Sequence, residues 1–399
     1  TTLDTGNAAA GVLNVGAVTS GTNALTLDSG STAGATIGLT SFADATGGLT
    51  IRDAGGLVTV SGAVGDGASG DVTITNSQAG VTFSSTVDAG TLLITDTTGT
   101  VTVQGDLTAA TLTTADQDYN VQFDEDATVT ADASFLNTGT VTLGSANDDV
   151  LLFGGGINTT GAGSNPSGTT LAGILRTSAD QVDLGAVTLG ANSVIDTTNN
   201  SGSASGAAIN LVSVDADDAS GQDRTLTLNS GTGGAIGVSG AIGSTEALAG
   251  LDITNSNGAT FTGAVTVSDG SGVLDISDTE NSQDVTFSGD VTAVTLTTTA
   301  NTYDVIFQED VAVTNDVTFA AIRNLDIGGA TDDIATFTGG LDTATNVTGT
   351  VTIAGTINTT NTQMDLGAVT LAAATTLDTG NAAAGVLNVG AVTSGTNAL

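Results

Sequence analysis

The feature that most constrains this chain is a step of 20 residues between short alternating triplets: Val81-Thr82-Phe83, Val101-Thr102-Val103, Val121-Gln122-Phe123 and Val141-Thr142-Leu143. Each reads apolar, polar, apolar, the period-two signature of a strand with one buried face. A unit this short cannot bury its own apolar side chains, so it has to stack on its neighbours. Two more apolar clusters follow within each unit: Val87, Leu107 and Val129, then Leu92 to Ile94, Leu112 and Phe135. The pattern predicts an all-β fold, a parallel β-solenoid (β-helix) of about 20 residues and three short strands per rung, drawn out as an elongated rod. Roughly 20 such rungs at about 4.8 Å each would extend on the order of 95 Å.

The same grammar returns later, at Val265-Thr266-Val267, Val285-Thr286-Phe287, Val305-Ile306-Phe307 and Leu325-Asp326-Ile327. Residues 100–123 align with 284–307 at a displacement of 184, with 13 of 24 positions identical and the two tyrosines, Tyr119 and Tyr303, coincident. Elsewhere the displacement drifts. Gln181 to Val187 returns as Gln363 to Val369 at 182, and Ser61-Gly62-Ala63 as Ser239-Gly240-Ala241 at 178, which points to small insertions at corners. Residues 1–25 reappear letter for letter as 375–399, a period of 374. The organisation expected is sub-repeat A over 1–182, sub-repeat B over 183–364, and the start of the next copy of A over 365–399, all in one continuous solenoid. Gly154 to Ser167, which contains the lone proline Pro166, breaks the rhythm and reads as an enlarged corner, because proline cannot donate to a ladder.

Composition narrows the chemistry. The chain has no histidine, cysteine, tryptophan or lysine, and only four arginines, Arg52, Arg176, Arg224 and Arg323. The usual acid/base, soft nucleophile and Schiff-base former are therefore missing, and no enzyme activity, catalytic residue or cofactor site is expected. The net charge of -38 leaves no basic patch for phosphates, which argues against nucleic acid and anionic membrane surfaces. Of the 42 acids only Glu125, Glu246, Glu280 and Glu309 are glutamate. That excess of aspartate suits tight turns, where a short carboxylate bonds its own backbone. A hydrophobic fraction of 39% argues for a folded chain, not a linker. No apolar run reaches the roughly 20 residues of a membrane span and no signal segment opens the sequence, so a soluble piece without its own address is expected.

The remaining candidates for chemistry are carboxylates. Asp106 and Asp126 are 20 residues apart, hence on neighbouring rungs, and Asp290 and Asp310 copy them. Two like charges about 5 Å apart repel by about 0.8 kcal/mol in water, which a bound cation would relieve, and calcium is the cation that takes such oxygens. Glu125, Glu309 and the doublets Asp148-Asp149 and Asp332-Asp333 keep the same displacement. Neither a calcium nonapeptide repeat nor an EF-hand loop is present, and exposed corner acids that keep the rod soluble are the expected role, with no dedicated metal site. A polysaccharide-active β-helix enzyme would need a raised-pKa acid in a cleft and a basic neighbour. An ice-binding face would need an unbroken threonine array, whereas the outward column reads Thr82, Thr102, Gln122, Thr142 and Thr266, Thr286, Ile306, Asp326. The tyrosines are expected to cover corners of the core.

The segments LNVGAVTSGTNALTLDSGS (13–31), LVTVSGAVGDG (57–67) and DLGAVTLGANSVIDTT (183–198) resemble the shaft repeats of giant bacterial surface proteins of the filamentous-haemagglutinin and autotransporter-adhesin type. The resemblance implies an extracellular or cell-surface fibre exported by a dedicated system, with binding modules elsewhere in the molecule. The expected function is a structural shaft segment acting as a rigid spacer. Its nearest rival is a self-assembling filament or sheath subunit. The expected partners are neighbouring copies of the same repeat, in tandem and in lateral or end-to-end assembly.

Overall fold

Valine, isoleucine and phenylalanine at every second position give each short strand one apolar edge, and that edge is buried only when the next rung lies on it. A computed structural model describes residues 1–399 apart from Ala8, Ala45, Ala68, Ser69, 218–222, Asp278, Ala382 and the side chain of Asp44. Among the described residues there are strands and turns and no helix. All the strand pairs are parallel, and the fold is a β-solenoid of about 17 turns. It divides into two units, Thr1–Ala191 and Asn192–Leu399.

In the first unit Val101 pairs with Val81 and with Val121, and Val121 pairs with Val141, so the four valines form one inward column. Each is fully buried. This column lies on the first of three faces. The second face carries Leu107 between Val87 and Ala127, and the third carries Leu112 on Leu92. Two details differ from the sequence reading. Ala127, not Val129, sits in the Leu107 column, and Val129 stacks on Ala109. Phe135 is buried, and its ring meets Phe153 edge-on, with ring centroids 6.3 Å apart.

The 20-residue step is local. Val141 pairs with Thr169, a step of 28, and Ile37 with Val58, a step of 21. In the second unit the steps run from 18, between Val351 and Val369, to 33, between Ser193 and Leu226. Longer corners explain why about 17 turns replace the 20 expected. They also moved one strand. Val265–Val267 pairs with Val291–Ala293 on the second face, while Ala259–Phe261 lies under Val285–Phe287 on the first. The rung between Ala259 and Val285 holds 26 residues, so a frame of 20 counted back from Val285 lands on the wrong face. The first-face outward column is therefore Thr260, Thr286, Ile306 and Asp326, without Thr266.

Gly154 to Ser167 is not a single corner either. Ile157–Asn158 is a strand, with Ile157 paired to Ala133 and to Val182, and it separates a short turn at 154–156 from the irregular stretch 159–167. Pro166 falls in that irregular stretch, where no ladder needs its missing N–H.

Inward, the second unit stacks Phe261, Phe287 and Phe307, with centroids 5.0 and 5.2 Å apart and planes within 12° of parallel. The equivalent column in the first unit runs Val60, Phe83, Val103, Phe123, Leu143. The valine column ends on Thr169, whose buried hydroxyl has no hydrogen-bond partner. Val351 holds the matching place in the second unit, between Leu325 and Val369. Sharp bends join the first and second faces within single strands, at Gly173 (φ 88°) in Gly168–Arg176 and Gly355 (φ 73°) in Val351–Thr359. A Cβ there would lie 2.5 Å from the Asp149 carbonyl oxygen or 2.2 Å from that of Asp333, so only glycine fits.

Corners from the third face back to the first are closed by small polar side chains turned inward. Ser77 Oγ donates to the Gly80 carbonyl at 2.7 Å, Ser230 Oγ to Gly234 at 2.7 Å, and Ser29 Oγ to Ala35 at 3.1 Å. Asn137 Nδ2 donates to the carbonyls of Tyr119 and Thr140. Ser29, Ser77, Asn137 and Ser230 are all 0% exposed. These bonds satisfy the buried side-chain hydroxyls and amide N–H groups while bracing the bend: the Gly80 and Gly234 carbonyls also accept the backbone N–H groups of Val58 and Asn257, so each serine adds a second bond at the corner.

Two stability predictions follow from the inward and outward assignments. Phe123→Asp should cost several kcal/mol by burying an unpaired charge and removing an aromatic ring, whereas Thr102→Asp should change stability by under about 1 kcal/mol. Equal shifts in the urea midpoint would show the two faces to be misassigned. Thr169→Val should raise unfolding free energy by about 1 kcal/mol, since it fills the same space without an unpaired hydroxyl; a lower midpoint would contradict this.

Candidate functional site

Because backbone groups are consumed by the ladder, any chemistry has to come from the outward columns and the corners. The first-face column of the first unit is Thr59, Thr82, Thr102, Gln122, Thr142, Thr170. On the third face of the second unit the outward positions are Thr227, Asp252, Asp275 and Thr297, so two carboxylates are stacked on adjacent rungs. Another such column reads Thr318, Asp342, Asp365, Asn388.

The acids expected to stack do so. Leu107 pairs with Ala127 and Val291 with Val311, which sets Asp106 beside Asp126 and Asp290 beside Asp310 on neighbouring rungs, all four exposed. One carboxylate of each pair is directed to backbone work. Asp126 Oδ1 accepts the Val150 N–H at 2.7 Å, and Asp310 Oδ1 accepts the Ile334 N–H at 2.7 Å. Each carboxylate thereby holds the start of the next rung's strand. Among the described residues no group of three or more His, Cys, Asp or Glu is arranged to hold a metal ion.

The doublets divide their roles. Asp148 and Asp332 face solvent, but Asp149 and Asp333 are buried, at 5% and 7% exposure. Asp149 Oδ2 accepts the N–H groups of Ser145 at 2.6 Å and Ala146 at 2.9 Å, and Asp333 Oδ2 those of Gly329 at 2.6 Å and Ala330 at 2.7 Å. A carboxylate that accepts two backbone N–H groups of its own turn fixes that turn. The sequence reading grouped these acids with the exposed ones. The signal that separates them is a glycine five residues before the second Asp, Gly144 and Gly328, each with φ near 78°.

Both tyrosines are buried, so neither faces a ligand. Tyr119 OH accepts the Ala115 N–H at 2.8 Å and donates to the Ile94 carbonyl at 3.3 Å, and Tyr303 OH donates to the Ile276 carbonyl at 2.9 Å. They cover corners, as expected.

Arginines neutralise particular stacks. Arg52 Nε donates to Asp28 Oδ2 at 2.6 Å and its Nη2 to Asp4 Oδ2 at 3.2 Å, spanning three rungs. Arg323 grips Asp304 with two bonds, Nε to Oδ1 at 2.6 Å and Nη2 to Oδ2 at 2.7 Å, and lies 3.8 Å from Asp284, the acid stacked on Asp304. Burial alone would raise the Asp304 carboxyl, but the bonds from Arg323 and Asn324 outweigh it and hold it below its ordinary value. Arg224 grips Asp217 in the same two-bonded way. Asp252 and Asp326 go the other way. Burial pushes the Asp252 carboxyl up and Asp275 alongside adds to it, while burial raises Asp326, with Asp304 and Asp284 adding further.

An open groove of about 260 Å³ runs across Ala133–Ser134, Ile157–Asn158 and the start of Val182–Asp196 in the first unit, edged by Asp132, Asp180 and Asp183. Gln181 Nε2 already donates to both Asp183 oxygens, at 2.7 and 2.9 Å.

A carboxyl whose folded pKa lies above its ordinary 3.8 binds protons more readily folded than unfolded, so its stability cost is full above the folded value and fades as pH falls toward 3.8. Asp252→Asn should therefore stabilise the chain at pH 7, with the gain shrinking toward pH 4. Denaturant melts of both proteins at the two pH values measure this, and a gain that grows on acidification would contradict it. Asp304 has the opposite sign: its contribution is present above 3.8 and is lost as pH falls through its lowered value. Compared with known protein families, curated proteins and solved structures, the chain matches none of them.

Proposed function

We propose that this chain is a structural shaft segment of a giant repetitive extracellular or cell-surface fibre, a rigid spacer of the kind found in filamentous-haemagglutinin and autotransporter-type adhesins. The role is mechanical and involves no catalysis. The observation that carries the reading is where the polar side chains go: Asp126, Asp149, Asp310 and Asp333 bind backbone N–H groups, and Ser77 and Ser230 bind corner carbonyls. Groups that brace the backbone are not poised for substrate, and a continuous parallel ladder resists extension along its hydrogen bonds.

The nearest alternative is a self-assembling filament or sheath subunit. Gold-labelled antibody against this chain, applied to intact cells of its source, should decorate fibres outside the envelope. Labelling that appears only after lysis would overturn the extracellular reading.

A further inference from the structure

The irregular stretch 159–167 contains an asparagine that a spacer role leaves unexplained. Asn165 has a buried Oδ1 with no hydrogen-bond partner, and a bare buried amide oxygen calls for a reason. Among the described residues the other asparagines in that state are Asn137 and Asn255. Both are followed by residues that keep a backbone N–H, Thr138 and Ser256, and Asn137 Nδ2 is already committed to the carbonyls of Tyr119 and Thr140. Asn165 is followed by Pro166, the only proline of the chain.

That neighbour decides how an asparagine can react with its own backbone. The common route has the nitrogen of the next residue attack the side-chain carbonyl carbon and expel ammonia. A prolyl nitrogen has no proton to give up, so this route is closed at Asn165. The reverse attack stays open, with Nδ2 adding to the main-chain carbonyl carbon of the same residue. A hydrogen bond donated to an amide oxygen draws the nitrogen lone pair toward the carbonyl, so an Oδ1 without one leaves Nδ2 the better nucleophile. Both reacting atoms belong to one residue, which removes the entropy of bringing them together.

We propose that the Asn165–Pro166 bond is a self-scission site. Asn165 Nδ2 bonds to the Asn165 carbonyl carbon and closes a five-membered succinimide. The carbon–nitrogen bond to Pro166 breaks, its electron pair goes to the Pro166 nitrogen, and the proton lost from Nδ2 ends there. Nothing is oxidised or reduced, and water enters only later, when the ring opens. The two pieces remain one particle, because Thr140–Leu143 upstream pairs with Gly168–Leu171 downstream, and Ile157 pairs with Val182. The second unit carries a built-in comparison. Its corner before Val351, which holds the place of Thr169, has Asn346-Val347, where the N–H is kept and no cut is expected.

The full chain, incubated at neutral pH for weeks, is followed by denaturing gel, mass and end-group sequencing beside Asn165→Gln and Pro166→Ala, both outside the strands. Full-length chain should be lost to two pieces that separate only in denaturant, the downstream one beginning Pro166-Ser167-Gly168. The upstream one should end in the succinimide or in the mixture of asparagine and isoasparagine left by its opening, whereas a protease leaves asparagine alone. Asn165→Gln should stop the cut, since the larger ring closes far more slowly, and Pro166→Ala should lose ammonia with the chain unbroken. A chain that stays whole, a cut at another bond, an upstream end of asparagine alone, or an equal cut in Asn165→Gln would each overturn the proposal. Cell-surface labelling reads the shaft function independently of this result.

Discussion

Parallel pairing of each strand with the one a rung away is the interaction on which everything else depends. It satisfies backbone N–H and C=O groups, and at the same step it brings identical apolar side chains into register, so that Val81, Val101, Val121 and Val141 exclude water together. Stacked Phe261, Phe287 and Phe307 show the same economy in aromatic form. A lone rung has neither, which is why the fold exists only as a repeat.

A ladder of this kind fails first at its corners, where the chain leaves the strand and its polar groups lose their partners. The chain meets that demand with short side chains. Buried Ser29, Ser77 and Ser230 bind carbonyls, Asp149 and Asp333 bind turn N–H groups, and Gly173 and Gly355 let the strand bend where a Cβ would collide with the rung below. This accounts for a composition so rich in Asp, Ser, Thr and Gly, since each satisfies the backbone over a short reach. Acid stacks are the cost of exact repetition, because a carboxylate in one rung sits on a carboxylate in the next. The second unit offsets one such stack with Arg323 beside Asp284 and Asp304. The first unit avoids it at the matching place with Thr100, Asn120 and Thr140, where Asn120 Oδ1 accepts the Thr140 N–H.

Much of the fold was legible because neighbouring rungs of equal length keep their frame. The inward columns from Val81 to Val141 and from Val285 to Leu325 needed only counting, and the stacked pairs Asp106 with Asp126 and Asp290 with Asp310 came with them. Where a corner grows the count slips. Val265 was placed on the wrong face for that reason, and Val129 displaced Ala127 from its column because a larger apolar residue is the stronger signal in a sequence. At the site, sequence gave carboxylates in pairs but not their partners, since a hydrogen bond from Val150 to Asp126 depends on which rung lies above.

By itself, then, the sequence determined the repeat, the parallel stacking and the absence of the usual catalytic side chains, because period and composition are properties of the chain alone. Tertiary structure decided which polar side chains turn inward, as Ser77 and Asp149 do while Thr102 and Asp148 turn out, although all four are small polar residues. It also decided the seats of identical strands: Leu13 pairs with Ile37, whereas Leu387 of the duplicate segment pairs with Met364. The reason is the same in both cases: burial and pairing are set by the neighbouring rung, and a rung's neighbour is a fact of three-dimensional register that the local sequence does not contain.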